Sequence, residues 1–157
     1  MKKLLLLFTV ILMVGCKSTS PVATNLDNKV ERTLKGMWTI TEVSFPGSEY
    51  IKVTSFDMFD SQCFVNSDWT FVSNNNKGKM TLNNANCASF SSDITWYINK
   101  EGKFVMKVLN AEKSKKVSQG YVLSIANITE NSFQLLDKVS VGGSTKDLVY
   151  QFTRVNQ

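Results

Sequence analysis

Residues 93–109 read DITWYINKEGKFVMKVL, and this stretch indicates the fold class of the whole chain. Apolar and polar side chains alternate on both sides of the pair Glu101-Gly102. The apolar positions that share one phase are Ile94, Trp96, Ile98, Phe104, Met106 and Val108. A two-residue alternation is the period of a half-buried β-strand, and a glycine-containing turn between two such runs predicts a hairpin. The stretch therefore predicts two antiparallel strands with one face in the core.

The same pattern continues in both directions from this hairpin. We predict strands over residues 37–45, 69–72, 79–82, 93–99, 103–109, 120–128, 132–141 and 147–155. The turns at residues 74–78 and at Gly142-Gly143 are rich in Asn and Gly, which tolerate positive φ. No long helical pattern intervenes, which argues against βαβ units and a parallel sheet. Eight antiparallel strands in up-and-down order predict an all-β barrel, because closure removes exposed sheet edges; a two-sheet sandwich is the alternative.

Two segments fall outside this strand pattern. Residues 46–62 are irregular, and we expect a helical turn there together with apolar plugs for the barrel. The candidate plugs are Ile51, Val53, Phe56, Met58 and Phe59. Residues 27–34 predict a short helix that closes onto the domain, because Leu26, Val30 and Leu34 recur at a four-residue spacing.

The first sixteen residues have the layout of an export signal. Met1-Lys2-Lys3 is followed by an apolar run over residues 4–14, which is too short to span a membrane as a helix. Met13-Val14-Gly15-Cys16 resembles the lipobox of bacterial lipoproteins, which implies cleavage before Cys16 and acylation of that residue. An ordinary signal peptide with an incidental Cys is the alternative. We therefore divide the chain into a signal peptide (1–15), a lipidated Cys with a flexible tether (16–33) and a barrel domain (34–157).

The length and charge of the chain limit its function. The 157 residues fit one domain, and 18 Lys+Arg stand against 13 Asp+Glu. Cleavage of residues 1–15 removes Lys2 and Lys3 and leaves a net charge of +3. The one tight basic cluster, Lys113, Lys115 and Lys116, contains no aromatic residue, so nucleic-acid binding is not expected.

Motifs near both ends of the predicted barrel resemble the lipocalin-like lipoproteins of Gram-negative bacteria. Residues 34–38 read Leu-Lys-Gly-Met-Trp, and Arg154 lies at the end of the last strand. Cys63, the Trp69-Thr70-Phe71 strand and the Asn-rich turn are further points of similarity. The resemblance implies a barrel floor formed by Gly36, Trp38 and Arg154, with the guanidinium packed over the indole. Residues 140–146 are too short for the helix that lipocalins carry before their last strand.

The remaining two cysteines predict a disulfide. Export implies an oxidising compartment, and with Cys16 acylated only Cys63 and Cys87 are left. These two residues flank the hairpin of the second and third strands, so they are expected to lie close together. A redox pair is the functional alternative, but the Cys-x-x-Cys spacing is lacking.

Catalysis and metal binding have little support in the sequence. The chain has no His, which excludes His general bases, Ser-His pairs and imidazole ligands. Asp57 and Asp60 are the nearest pair of carboxylates, with Asp68 further on, and calcium binding is the functional alternative, but no EF-hand spacing exists. We interpret them as solvated loop residues. The sequence therefore predicts no enzyme, no cofactor and no metal site.

The barrel interior is the best candidate for function. The predicted ligand-cavity lining is Phe71, Trp96, Phe104, Met106, Tyr121, Leu123, Phe133 and Tyr150. Such a lining suits a small hydrophobic ligand, which a membrane-anchored monomer would bind or carry. The alternative is a filled barrel that acts as an envelope protein–protein module, either a scaffold or a hydrolase inhibitor, through loops at one end. The expected location is the cell envelope, with acylated Cys16 in the outer membrane and the barrel facing the periplasm.

Overall fold

The computed structural model describes residues 29–47 and 52–155. The predicted signal peptide, Cys16 and most of the tether lie outside the described residues, as does the candidate plug Ile51. In the described part, residues 29–34 are helical. None of the helical residues described forms a helix that is long and apolar enough to cross a membrane.

Ten strands follow this helical segment. Their bounds are β1 Gly36–Ser44, β2 Thr54–Ser55, β3 Phe59–Asp60, β4 Asp68–Val72, β5 Lys77–Leu82, β6 Phe90–Ile98, β7 Phe104–Val108, β8 Tyr121–Ala126, β9 Ser132–Val141 and β10 Ser144–Arg154. Short 3-10 turns cover Ser61–Phe64 and Ser73–Asn75. The eight predicted strands correspond to β1 and to β4 through β10.

These eight strands close into one antiparallel barrel. Its order is β1-β10-β9-β8-β7-β6-β5-β4, and β1 pairs with both β10 and β4. The predicted up-and-down barrel is therefore confirmed, and the two-sheet sandwich is wrong. The remaining strands, β2 and β3, form a separate two-stranded ribbon. We call residues 54–60 the rim ribbon.

The hairpin of β6 and β7 shows how the alternation of side chains builds the core. In β6 and β7 the register pairs Ile94 with Val108 and Trp96 with Met106. All inward residues of both strands therefore meet on one face. Because the side-chain period is two, a slip of one residue would turn this apolar set toward solvent, so the buried face fixes the register.

The first strand departs from a simple alternation. Trp38 and Ile40 are buried, but the next buried residue is Val43, three positions later. The pairing with β10 shifts between Ile40 and Glu42, which marks a β-bulge at Thr41. A bulge inserts one extra residue, so the residues of β1 that face the core change phase after Ile40.

The barrel has two different ends, here called the floor and the rim. The floor comprises the helical segment, the start of β1, the end of β10 and the turns after β4, β6 and β8. The rim comprises the segment between β1 and β4 and the connections after β5, β7 and β9. At the rim, Gly142 and Gly143 both have positive φ and make a tight turn, so no helix precedes β10.

The predicted disulfide is confirmed, and it lies at the rim. Cys63 in the first 3-10 turn is bonded to Cys87 in the β5–β6 connection, with their Cα atoms 5.7 Å apart. The bond joins the segment that follows the rim ribbon to the barrel wall. The barrel, its core and this disulfide are all built within residues 29–155, so this part of the chain folds as a unit.

Candidate functional site

The floor is sealed by Trp38 and Arg154. Trp38 is fully buried, and its indole Nε1 donates a hydrogen bond to the Leu34 carbonyl at 2.8 Å. The Arg154 guanidinium carbon lies 4.1 Å from the centroid of the indole ring. Their strands are paired at this position, so the backbone register brings the two side chains together. This arrangement joins the helical segment to the barrel bottom.

Arg154 also binds three backbone carbonyls. Its Nη2 donates to Thr33 at 2.8 Å, its Nη1 donates to Lys35 at 3.1 Å, and its Nε donates to Glu130. Thr33 lies in the last turn of the helical segment, where carbonyls lack intrahelical partners and a cation is favourable. Arg154 therefore ties both the helical segment and the β8–β9 turn to the floor.

Gly36 gives Arg154 the space it needs. Its φ is +130°, which L side chains rarely adopt, and a Cβ atom there would lie 2.6 Å from Nη1 of Arg154. Any other residue would therefore both strain the backbone and displace the guanidinium. The three residues that the family resemblance grouped as a floor lie in one contact network.

The half of the interior next to the floor is filled by aromatic rings. Phe71 contacts Trp96 and Phe104 at centroid distances of 5.2 and 5.6 Å. Phe133 stacks on Phe152 at 4.5 Å and meets Trp38 edge-on at 4.7 Å. The predicted lining residues Phe71, Trp96, Phe104, Phe133, Met106 and Leu123 are all buried. Their role in binding a ligand stays a prediction.

The rim half is closed by a side chain from outside the barrel wall. Phe56, at the tip of the rim ribbon, is only 4% exposed. Its ring stacks on Tyr150 at 5.4 Å and meets Tyr121 edge-on at 5.1 Å, with Phe64 and Trp69 also in contact. The other described candidate plugs differ from it. Val53 is buried, whereas Met58 and Phe59 are partly buried against the core.

Hydrogen bonds from the barrel hold the rim ribbon in place. The Tyr121 hydroxyl donates to the Phe56 carbonyl at 2.6 Å, and the Tyr150 hydroxyl donates to Ser55 Oγ at 2.6 Å. Gln119 donates to the Asp57 carboxylate at 2.6 Å. Thus two of the eight predicted lining residues, Tyr121 and Tyr150, both pack against Phe56 and bond its ribbon.

The tip of the rim ribbon is strained. Phe56 and Asp57 have φ of 51° and 49°, the left-handed region that non-glycine residues seldom occupy. Such residues cost roughly 1–3 kcal/mol each and persist only where the surroundings enforce them. Here the contacts of Phe56 and the hydrogen bonds of the ribbon hold the tip in this conformation.

A carboxylate adjoins the apolar ring of the rim. Asp137 lies in β9 two positions after Leu135, in the same inward phase. Burial raises the pKa of this half-buried carboxyl, and the charge of Asp57 raises it further, against a backbone hydrogen bond from Lys138 that lowers it. Burial also raises the pKa of Tyr150. Sequence reasoning missed Asp137, although its phase with Phe133 and Leu135 was a signal.

The three carboxylates considered for catalysis do not form a cluster. Asp60 accepts a hydrogen bond from the Gln62 amide, and Asp68 accepts from Thr39 and Asn83. Asp57 is bonded to Gln119, as described above. Each of the three thus has a structural partner. Within residues 29–47 and 52–155, no group of three His, Cys, Asp or Glu side chains could hold a metal ion.

Described residues form two depressions on the outer surface. A groove of about 790 Å³ runs along β6 and β7 and includes Tyr97, Val105 and Lys107. A cleft of about 480 Å³ lies at the floor. It is lined by Lys29, Arg32, Thr33, Lys35, Glu130, Asn131 and Arg154. The second depression is mainly basic, whereas the rim site inside the barrel is apolar with acidic neighbours.

Comparison with known proteins gives one family and several barrel structures. A family model described as a lipocalin-like domain matches residues 34–135, well over half of the chain. The solved structure of apocrustacyanin C2 is similar with a TM-score of 0.51 and 14% identity, covering 87% of this chain and 70% of that one. No protein of curated function matches the sequence.

Two further solved structures have lower similarity. Lobster apocrustacyanin A1 has a TM-score of 0.47 and 14% identity, with 87% of this chain and 70% of that one covered. A bovine odorant-binding protein, in complex with a selenium-containing odorant, has a TM-score of 0.47 and 10% identity, with 81% of this chain and 73% of that one covered.

Proposed function

The chain belongs to the lipocalin-like domain family, and from this premise we propose that it binds a small hydrophobic ligand at the rim of its barrel. The observation that carries this proposal is the position of Phe56. An aromatic ring supplied by a separate ribbon occupies the rim half of the interior, between Tyr121 and Tyr150. A ligand group of similar size and shape would find the same apolar contacts there.

Ligand entry requires the rim ribbon to move. The ribbon is a two-residue pair of strands held by side-chain hydrogen bonds and by the Phe56 ring. Its strained tip relaxes when it leaves the barrel, which offsets part of the lost contact energy. The ribbon and the ligand therefore compete for one site, and the ligand binds by displacing Phe56.

The residues around Phe56 define the class of ligand. Trp69, Tyr121 and Tyr150 offer aromatic faces, while the two tyrosine hydroxyls lose their partners on the ribbon once it moves. A buried hydroxyl without a partner is costly. The favoured ligand is therefore amphipathic, with an aromatic or branched apolar part and a polar group that accepts a hydrogen bond.

The proposal includes the cellular setting. Cys16 in the lipobox-like sequence is acylated and anchors a monomeric barrel to the outer membrane on its periplasmic side. What supports this is the charged start, the apolar run and the placing of Cys16. Radiolabelled palmitate, which should label the wild type but not Cys16→Ser, tests the anchor separately from the ligand.

A comparison of two ribbon variants tests ligand binding. Phe56→Ala removes the competing ring, so the affinity for the fluorescent apolar probe N-phenyl-1-naphthylamine should rise about tenfold, because less binding energy is spent on displacement. Phe59→Ala is the matched control, because it removes a ring of the same ribbon that packs against Phe90, and it should raise the affinity less than Phe56→Ala does. Native mass spectrometry of protein purified from its own membrane should show a bound lipid-like mass. Equal probe affinity in Phe56→Ala and wild type would reject the proposal.

A second candidate function is the protein–protein module. The filled floor half favours it, because the interior there is already occupied by interlocked rings. Crosslinking from envelopes would detect a partner, and Lys113, Lys115 and Lys116→Glu should abolish its capture. This candidate replaces the first if neither wild type nor Phe56→Ala binds the probe.

A further inference from the structure

We propose that the floor of the barrel is a docking surface for an anionic phospholipid membrane. The first observation is charge. The floor cleft is lined by four basic residues and one acidic residue. Lys29, at the start of the helical segment, and Lys35, directly after it, are exposed. Such a cluster attracts the negative surface of a bilayer that contains anionic lipid.

The second observation is the distribution of exposed apolar side chains. Five large hydrophobic residues are exposed in the described part of the chain, and four of them lie at or near the floor. Met37 and Val155 flank the β1–β10 end and are joined by a backbone hydrogen bond. Ile128 lies in the β8–β9 turn, whose Asn131 carbonyl accepts a hydrogen bond from the Arg154 amide. Tyr97 is one residue from the floor end of β6. Isolated exposed apolar residues are normal, but their concentration at one end is not.

Basic and apolar groups on one surface are typical of proteins that lie on a bilayer. The cations attract anionic headgroups, while apolar side chains enter the boundary between headgroups and acyl chains. Tyrosine suits the same boundary because its ring is apolar and its hydroxyl is polar. The fifth exposed hydrophobic residue, Val122, lies on the side wall of the barrel, where it pairs with Val105 in β7.

The path of the chain supports the same orientation. The described chain enters the barrel at Lys29 on the floor, and twelve residues separate it from Cys16. A fully extended chain of that length spans at most about 45 Å. This argument from the chain path rests on the proposed acylation of Cys16. The arguments from charge and from exposed apolar residues are independent of it. With the floor on the membrane, the rim ribbon and its ligand site face away from the bilayer.

Vesicle binding without the lipid anchor tests the surface itself. The chain from residue 17 to residue 157 should cosediment with vesicles of equal parts phosphatidylglycerol and phosphatidylcholine, and not with phosphatidylcholine alone. Lys29→Glu with Lys35→Glu should weaken the binding about tenfold. Lys113→Glu with Lys115→Glu makes the same charge change in the β7–β8 connection of the rim and should leave binding within about twofold. Circular dichroism melts of both variants show whether the fold is retained.

A labelled cysteine tests the orientation. Ile128→Cys carrying an environment-sensitive fluorophore should shift to shorter wavelength on anionic vesicles, whereas Thr145→Cys with the same label, exposed at the rim end of β10, should not. The native pair Cys63–Cys87 is already bonded, so each variant has one reactive thiol. Three outcomes would overturn the proposal. They are an equal loss of binding in both charge variants, equal fluorescence shifts at both labelled sites, and no vesicle binding by the chain without substitutions. Because Cys16 is absent from these proteins, failure here is distinct from failure of acylation or of ligand binding.

Discussion

The floor and the rim close the same barrel by different means. At the floor, Trp38 and Arg154 belong to barrel strands, and the guanidinium bonds three carbonyls. At the rim, Phe56 comes from an inserted ribbon whose tip is strained and whose bonds are made by neutral tyrosines. Opening the floor requires unpairing β1 from β10, whereas opening the rim requires only that the ribbon leave. Under the proposed function, the floor is the permanent closure and the rim is the one that opens.

The largest expected effect compares one phenylalanine from each half. Phe133→Ala, in the filled floor half, should lower the free energy of unfolding by about 3–5 kcal/mol, the usual loss for a buried phenylalanine. Phe56→Ala should cost about half as much, because the ribbon can leave without unfolding the barrel, so the loss cannot exceed what ribbon docking contributes. Urea denaturation of both variants measures this difference. Equal losses would show that the ribbon is an integral part of the fold.

The disulfide is expected to stabilise the rim more than the floor. Cys63 and Cys87 are 24 positions apart in the sequence. Closing a loop of this length stabilises the folded state by about 3 kcal/mol in the chain-entropy model. Cys63→Ser with Cys87→Ser should lower the denaturation midpoint accordingly. Hydrogen exchange should rise first at residues 53–64, with the floor strands still protected. A uniform rise along the barrel would mean that the two ends are not energetically separate.

Removal of the floor clamp should cost somewhat less. Arg154→Met keeps much of the packing over Trp38 but loses the cation–π contact and the three hydrogen bonds, about 2 kcal/mol together since the carbonyls can bind water instead. Arg154→Lys keeps the charge but loses the planar arrangement of N–H donors. The stability of this variant should therefore fall between that of the wild type and that of Arg154→Met. Thermal melts measure this series. A loss in the lysine variant equal to that in the methionine variant would show that geometry, not charge, holds the floor.

The sequence allowed the barrel and the floor to be predicted because their determinants are local or periodic. The alternation of apolar and polar side chains predicted all eight barrel strands, since inward-facing apolar positions recur at every second residue of a strand. Gly36, Trp38 and Arg154 could be grouped from the family resemblance, and the strand register places them in contact. The cysteines Cys63 and Cys87 were correctly paired because few cysteines were left to choose from.

The rim was less predictable because it depends on tertiary placement. The sequence named Phe56 only as one of five plugs, and nothing local distinguishes it from Met58 or Phe59. Its burial is decided by the turn between β2 and β3, whose left-handed residues carry no glycine signal. Likewise the bulge at Thr41 shifted the phase of β1 without a Gly or Pro to mark it. Asp137 was overlooked because a charged residue interrupts an otherwise apolar phase.

The smallest expected effect concerns Asp137 and the pH dependence of the rim. Because burial raises the pKa of Asp137 in the folded state, the folded protein binds more protons than the unfolded chain between the ordinary carboxyl pKa and the raised one. Stability therefore falls as pH rises through that interval, and Asp137→Asn should remove this part of the fall. Urea midpoints measured from about pH 4 to about pH 7 give the dependence of stability on pH for both proteins.

The effect of Asp137 should be confined to hydrogen exchange and stability at the rim, because Asp137 interacts with Tyr121, Tyr150 and Asp57 there and not with the floor. An identical pH slope in Asp137→Asn would show that the carboxyl is solvated when the ribbon is closed, and the rim would then be more open than its contacts indicate.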